Sequence, residues 1–114
     1  MKHQAGKNYL RAHRKKSGLS QREMGSLLGY KDAGQITRHE KSEGIPPLAI
    51  ALAYELIFRV PVSLIFVGMH GRIRRDVESK LQELEAELGN RDARDRDASV
   101  VAQKLVWLNE RKSR

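Results

Sequence analysis

Apolar positions recur along the chain at helical spacing, and they divide it into seven segments. Tyr9 and Leu10 sit in a first segment, expected as a helix over residues 8–16. Met24, Leu27 and Leu28 give one face to a second, residues 21–28. A third, residues 33–41, has Ile36 as its one large apolar anchor, so most of its surface must face something other than a core. Residues 47–58 are apolar nearly all round, LAIALAYELIF after Pro47, which predicts a central core helix. Pro61 opens a short fifth helix over residues 62–66. Farther on, Ile73, Val77, Leu81, Leu84 and Leu88 are spaced 4, 4, 3 and 4 apart, a heptad-like seam with charged residues on the other faces. A last helix, residues 98–111, shows Val101, Leu105 and Leu108 on one side with Trp107 adjacent. The expected fold class is all-α.

The punctuation between the second and third segments is the most informative. Ser20 and Glu23 form an S-x-x-E capping box, and Leu19 and Met24 have the spacing of a hydrophobic staple. Gly29 stands where a helix ends in a left-handed residue, a conformation glycine adopts without strain. Asp32 is expected to cap the next helix, with Gln35 at the matching third position. A helix, a glycine turn and a second helix that is mostly not buried make a helix-turn-helix.

Residues 9–66 resemble the Cro/CI-like (Xre-type) helix-turn-helix domain of bacterial and phage regulators. The resemblance rests on GLSQREMGSLLG (18–29), ITRHE (36–40), the Pro46–Leu48 step and VPVSLIF (60–66), and it covers about half the chain. It implies a five-helix Cro/CI-like domain with a C-terminal helical extension. It also implies that Arg14 pairs with Glu40, that Gly25 lies where the third helix crosses close by, and that Gln21 points at a phosphate. The third helix would lie in the major groove and present Ala33, Gly34, Gln35, Thr37 and Arg38 to base edges. Ala33 suits a thymine methyl group, and Gly34 lets the backbone approach. Gln35 suits adenine and Arg38 suits guanine, with Lys31 and Lys41 flanking them for phosphates. The turn at residues 30–32 is one residue longer than the commonest family spacing, which leaves the helix start open by one residue. His13 falls where the family has an aliphatic core residue and is expected to be half-buried.

Charge strengthens this picture. The chain of 114 residues has a formal charge of +8 and a pI near 10.1, which favours a polyanionic partner. Residues 1–16 hold six basic side chains and no acidic one, residues 17–71 are balanced, and residues 72–114 hold eleven basic and nine acidic. The excess therefore lies beside the helix-turn-helix. The expected organisation is a flexible basic arm (1–7), a DNA-binding domain (8–68) and a helical extension (69–114), with Gly68 and Gly71 marking the change. RDARDRD (91–97) reads as a mixed-charge linker or a fraying helix start. The two C-terminal seams suit a hairpin, a dimer interface or both, with dimerisation favoured.

Other chemistry is not indicated. There is no cysteine, hence no disulfide or thiolate site, in keeping with a reducing cytoplasm. His3, His13, His39 and His70 lack metal-ligand spacing, so no metal or other cofactor is expected. No phosphate loop, nucleophile elbow or H-E-x-x-H motif appears, which argues against an enzyme. No apolar run approaches the ~18 residues of a membrane span, and the first residues lack the apolar core of a secretory signal. The expected function is a dimeric, sequence-specific, double-stranded DNA-binding regulator, by default a repressor acting through residues 33–41. The alternatives are an antitoxin-like protein whose C-terminal helices bind a partner, or a non-specific DNA binder.

Overall fold

A computed structural model describes residues 6–90 and 98–114. The expected linker at 91–97 and the first five residues of the arm lie outside them. The described residues form seven helices and no strand: α1 (Leu10–Ser17), α2 (Gln21–Leu27), α3 (Gly34–Glu40), α4 (Leu48–Phe58), α5 (Val62–Ile65), α6 (Val67–Gly89) and α7 (Ala98–Lys112). They fall into two compact units, Met1–Ile73 and Arg74–Arg114. Gly68 and Gly71, which mark the expected change from domain to extension, lie inside α6.

The first unit closes around Leu10, Met24, Ile36, Tyr54, Ile65 and Phe66, one or two side chains from each of α1 to α5 and the turn after it. Each such side chain contributes ~1.5–3 kcal/mol through burial. His13 is half-buried against Phe58, ring centroids 5.6 Å apart. Gly18 and Gly29 take positive φ, 79° and 84°, and end α1 and the α2 turn. The capping box forms in full: Ser20 Oγ accepts from Glu23 N–H at 3.0 Å, and Glu23 Oε1 accepts from Ser20 N–H at 3.0 Å. The Ser20 N–H bond to the ionised carboxylate, and then the Ser20 hydroxyl, hold Glu23 below the usual carboxylate range.

Residues 6 and 7, expected as part of a free arm, are bonded into this unit instead. Gly68 N–H donates to Lys7 O at 2.9 Å, and Ser42 Oγ donates to Gly6 O at 2.7 Å. A Cβ at Gly68 would lie 2.5 Å from Lys7 N, so this crossing requires glycine. The sequence reading of α4 also needs correction. Pro47 caps the helix rather than beginning it, and only Tyr54 is fully buried. Ile50, Ile57 and Phe58 pack on the core, while Leu48, Leu52 and Leu56 are exposed. The first unit is too small to cover both sides of this helix.

In the second unit, Leu88 of α6 and Leu108 of α7 are buried. Arg111 Nη2 donates to Glu78 Oε1 at 2.8 Å, and Lys112 Nζ donates to Glu85 Oε2 at 2.8 Å. The late residues of α7 thus meet the middle of α6, as in an antiparallel hairpin. The seam expected on α6 is only partly covered: Val77 and Leu84 remain exposed, as do Val100 and Trp107 on α7.

Candidate nucleic-acid interface

Four side chains fix the position of α3. Arg14 Nε donates to Glu40 Oε2 at 2.5 Å and Nη2 to Glu40 Oε1 at 3.1 Å, a forked pair from α1 to the end of α3. Gln21 Nε2 also donates to Glu40 Oε1 at 3.1 Å, while Gln21 Oε1 accepts from Thr37 Oγ1 at 3.1 Å. Arg14 donates once more to Leu19 O at 3.0 Å. The Arg14 and Glu40 side chains are only 12% and 4% exposed, so water does not replace either partner. The hydrogen bond and charge of Glu40 raise the Arg14 pKa further above its ordinary value.

The remaining surface of α3 follows from its period. At 100° per residue, Ile36 and His39 point inward, and Gly34, Arg38 and Lys41 share the opposite side, with Gln35 on the flank between Arg38 and His39. Ile36 and His39 are buried, and those four are exposed. This side carries Arg38 and Lys41 and no acid. Lys31, exposed in the preceding turn, and Arg11 on α1 flank it. Arg11, Arg14, Gln21, Thr37, Glu40 and Lys41 line one shallow groove beside it.

The eight residues singled out from sequence therefore separate into two groups. Lys31, Gly34, Gln35, Arg38 and Lys41 are accessible. Ala33, Gln21 and Thr37 are half-buried, and the polar groups of Gln21 and Thr37 are engaged with each other and with Glu40. The Gln21 side chain, expected to point at a phosphate, ties α2 to α3 and also lines the groove. Helix α3 begins at Gly34, with Ala33 in the cap position and no side-chain cap there. Asp32 still bonds near this start, its Oδ1 accepting from Gly34 N–H at 2.8 Å. The bond spans two residues, as in an Asx turn, so Gln35 closes no capping box and stays free on the surface.

Two positioning residues, Asn8 and His39, and one groove-lining residue, Arg11, escaped the sequence reading. Asn8 Nδ2 donates to His39 O and to Ser42 Oγ, both at 3.0 Å, holding the chain before α1 against the end of α3. Arg11 lies three residues before Arg14, and that spacing alone could have placed it on the same face. His39 is 3% exposed, and its Nδ1 lies 2.9 Å from the Tyr54 hydroxyl. Burial, and then the charge of Arg38, lowers the His39 pKa from its ordinary value of 6.5. Burial likewise raises that of Tyr54.

The His39 shift has a definite sign. A histidine that protonates less readily folded than unfolded contributes stability above its unfolded pKa, and that stability is lost as pH falls. The melting temperature should therefore drop as pH is lowered from about 6.5. His39→Gln, which can still bond to Tyr54 and does not titrate, should show a shallower drop over pH 8 to 5. Parallel curves for the two proteins would refute the assignment.

Among the described residues, no group of three or more His, Cys, Asp or Glu is placed to hold a metal ion. No described helix is long and apolar enough to cross a membrane. Comparison with known protein families, characterised proteins and solved structures finds no match.

Proposed function

We propose that the chain is a sequence-specific regulator that binds double-stranded DNA, with α1 to α5 as a five-helix Cro/CI-like domain and α2–α3 as its helix-turn-helix. One observation carries this reading. The Arg14–Glu40–Gln21–Thr37 network secures one side of α3, while Gly34, Gln35, Arg38 and Lys41 stay exposed on another. A rigidly held helix with an unpaired basic side suits insertion into a major groove.

In this reading Arg38 reads guanine and Gln35 reads adenine, each good pair discriminating by ~1–3 kcal/mol. Lys31, Lys41 and Arg11 contact phosphates and supply much of the affinity. No catalysis is assigned. The protein acts as a homodimer through its C-terminal helices and represses by occupying an operator.

The test is selection of bound duplexes from a random DNA pool, then titration of the winner against scrambled DNA at two salt concentrations. A palindromic winner bound at least ~10³-fold tighter than scrambled DNA is the expected result. Arg38→Ala should reduce preference for the winner by about 10- to 100-fold at one base pair, whereas Lys41→Ala should weaken all duplexes alike. Binding without a motif that collapses with salt would reject the sequence-specific reading.

A second reading has its own observation. Trp107 is 51% exposed beside Val106 at 58%, a pair suited to a protein contact on α7. An antitoxin-like role for the C-terminal helices would appear as a chain that aggregates until a second gene product is co-expressed.

A further inference from the structure

A short loop, residues 41–47, leads out of α3 before α4 begins. Ser42 in this loop has φ 60°, a left-handed conformation in which a side chain is crowded. Residues from the start of the unit hold it there. Ser42 Oγ donates to Gly6 O at 2.7 Å and accepts from Asn8 Nδ2 at 3.0 Å, and Ser42 N–H donates to His39 O at 3.2 Å. Glu43 N–H then donates to Arg38 O at 2.9 Å. These bonds bring the next residue, Gly44, against the side chain of Arg38. A Cβ at Gly44 would lie 3.8 Å from both Nε and Nη2 of Arg38 and 4.0 Å from its Cβ. The arginine therefore curls round Gly44, with its first carbon and its guanidinium both beside the same point. We infer that Gly44 is a positioning residue for base reading. It leaves the space in which the Arg38 guanidinium is seated, so the loop after α3 sets the direction of that guanidinium together with α3 itself. The inference rests on the DNA-binding reading above and names a determinant of its specificity.

Backbone conformation does not account for this glycine. Gly18 and Gly29 take positive φ, and Gly44 does not. What the missing side chain supplies is room. A methyl group there would meet the guanidinium at ordinary van der Waals distance, and any longer side chain would compete for the same space. The seat also has a consequence for binding. An arginine free to sample its rotamers loses entropy when it is fixed on a base edge. One already laid along a bonded loop has part of that ordering done in the free protein. Its donors form a rigid planar fork, so the direction of the seat decides which acceptors the fork can meet. Arg38 is nonetheless exposed, so the seat does not remove it from a ligand.

The test repeats the duplex selection and titration with the full chain as parent, Arg38→Ala, Gly44→Ala, Gly44→Leu, and Arg38→Ala combined with Gly44→Leu. Gly44→Leu should reduce discrimination about tenfold at the base pair that Arg38→Ala identifies. Its affinity for scrambled DNA should change by less than about twofold, because phosphate contacts are left in place. Gly44→Ala, whose methyl fits beside the guanidinium, should keep the discrimination. In the Arg38→Ala background, Gly44→Leu should add no further loss, since the group it displaces is gone. Helical circular dichroism and melting temperature check each fold, and Gly44→Gln replaces Gly44→Leu if leucine disturbs them. Discrimination kept when the longer side chain is present would overturn the inference and leave the DNA reading standing. So would an equal loss in the Arg38→Ala background, because the loop would then act on α3 and not through Arg38. A parent that selects no motif would instead reject the DNA reading, and the role of Gly44 with it.

Discussion

Replacing Arg14 with alanine is expected to destabilise the N-terminal unit by about 3 kcal/mol, the low end for breaking a buried ion pair from one side. The cost comes from what remains. Glu40, 4% exposed, keeps its charge and only the amide of Gln21 as a partner, and Leu19 O loses its donor. Lys15→Ala, one residue along but fully solvated, should change stability by less than about 0.5 kcal/mol. For a unit of this size the difference corresponds to a melting temperature lower by roughly 12–24 °C. Urea unfolding of the two variants measures it directly, and equal midpoints would show that water replaces Arg14 without penalty. The pair Arg14→Met with Glu40→Leu is informative beside it. Removing both charges should recover much of the loss, because no uncompensated carboxylate is left in the interior. That double variant would still lack the fork that sets the angle of α3.

Gly25→Val should be nearly as damaging, by a different route. A Cβ at Gly25 would lie 2.8 Å from Asp32 O, and Ile36 Cγ1 is 3.8 Å away. The obstacle is backbone of the turn that leads into α3, which cannot rotate aside as a side chain does. Gly25 O also accepts from Tyr30 N–H at 2.8 Å, so the turn is tied to the same spot. Overpacking of this kind costs about 1–3 kcal/mol, and the helix preference of a non-glycine residue returns less than about 1 kcal/mol. Gly25→Val should therefore lower stability by roughly 2 kcal/mol, and Gly25→Ala by less. A further consequence separates this from a simple core defect. The turn at 30–32 must move, and α3 moves with it, so under the proposed DNA-binding reading the DNA preference should change even at a temperature where the variant is folded. A Gly25→Val protein as stable as the parent would show that the turn yields freely.

Much of the α2–turn–α3 segment could be read from residues close together in the chain. The Ser20–Glu23 box spans three residues, and its two bonds are set by local geometry at a helix start. The positive φ of Gly18 and Gly29 follows from the stop positions that only glycine occupies without strain. Ile36 stood out as the anchor of α3 because no other large apolar residue is available there, and it is buried at 1% exposure. The sides of α3 followed from its period once that anchor was known.

The same local reasoning misplaced residues whose partners lie far away in sequence. Asn8 meets His39 and Ser42 across more than thirty positions, and nothing in its neighbourhood signals that. The bonds of the Gln21 side chain to Glu40 and Thr37 likewise join α2 to α3 across sixteen or more positions. His39 was judged only as a metal ligand, although its position three residues beyond Ile36 put it on the buried side. Gly68 read as a domain end because the composition changes after it. In the folded chain its missing side chain instead makes room for Gly6 and Lys7.

Helix positions, their caps and the apolar anchors were thus written in the order of residues, because hydrogen bonds within a turn and a 3.6-residue period depend on near neighbours alone. The forked Arg14–Glu40 pair was expected from a family likeness, but its burial and its links to Gln21 and Leu19 depend on where α1, α2 and α3 come to rest. The clearest case is α4. Its composition calls for burial all round, yet burial depends on what surrounds a helix as much as on its own residues. The other helices of the first unit cover one side of it and leave Leu48, Leu52 and Leu56 in water.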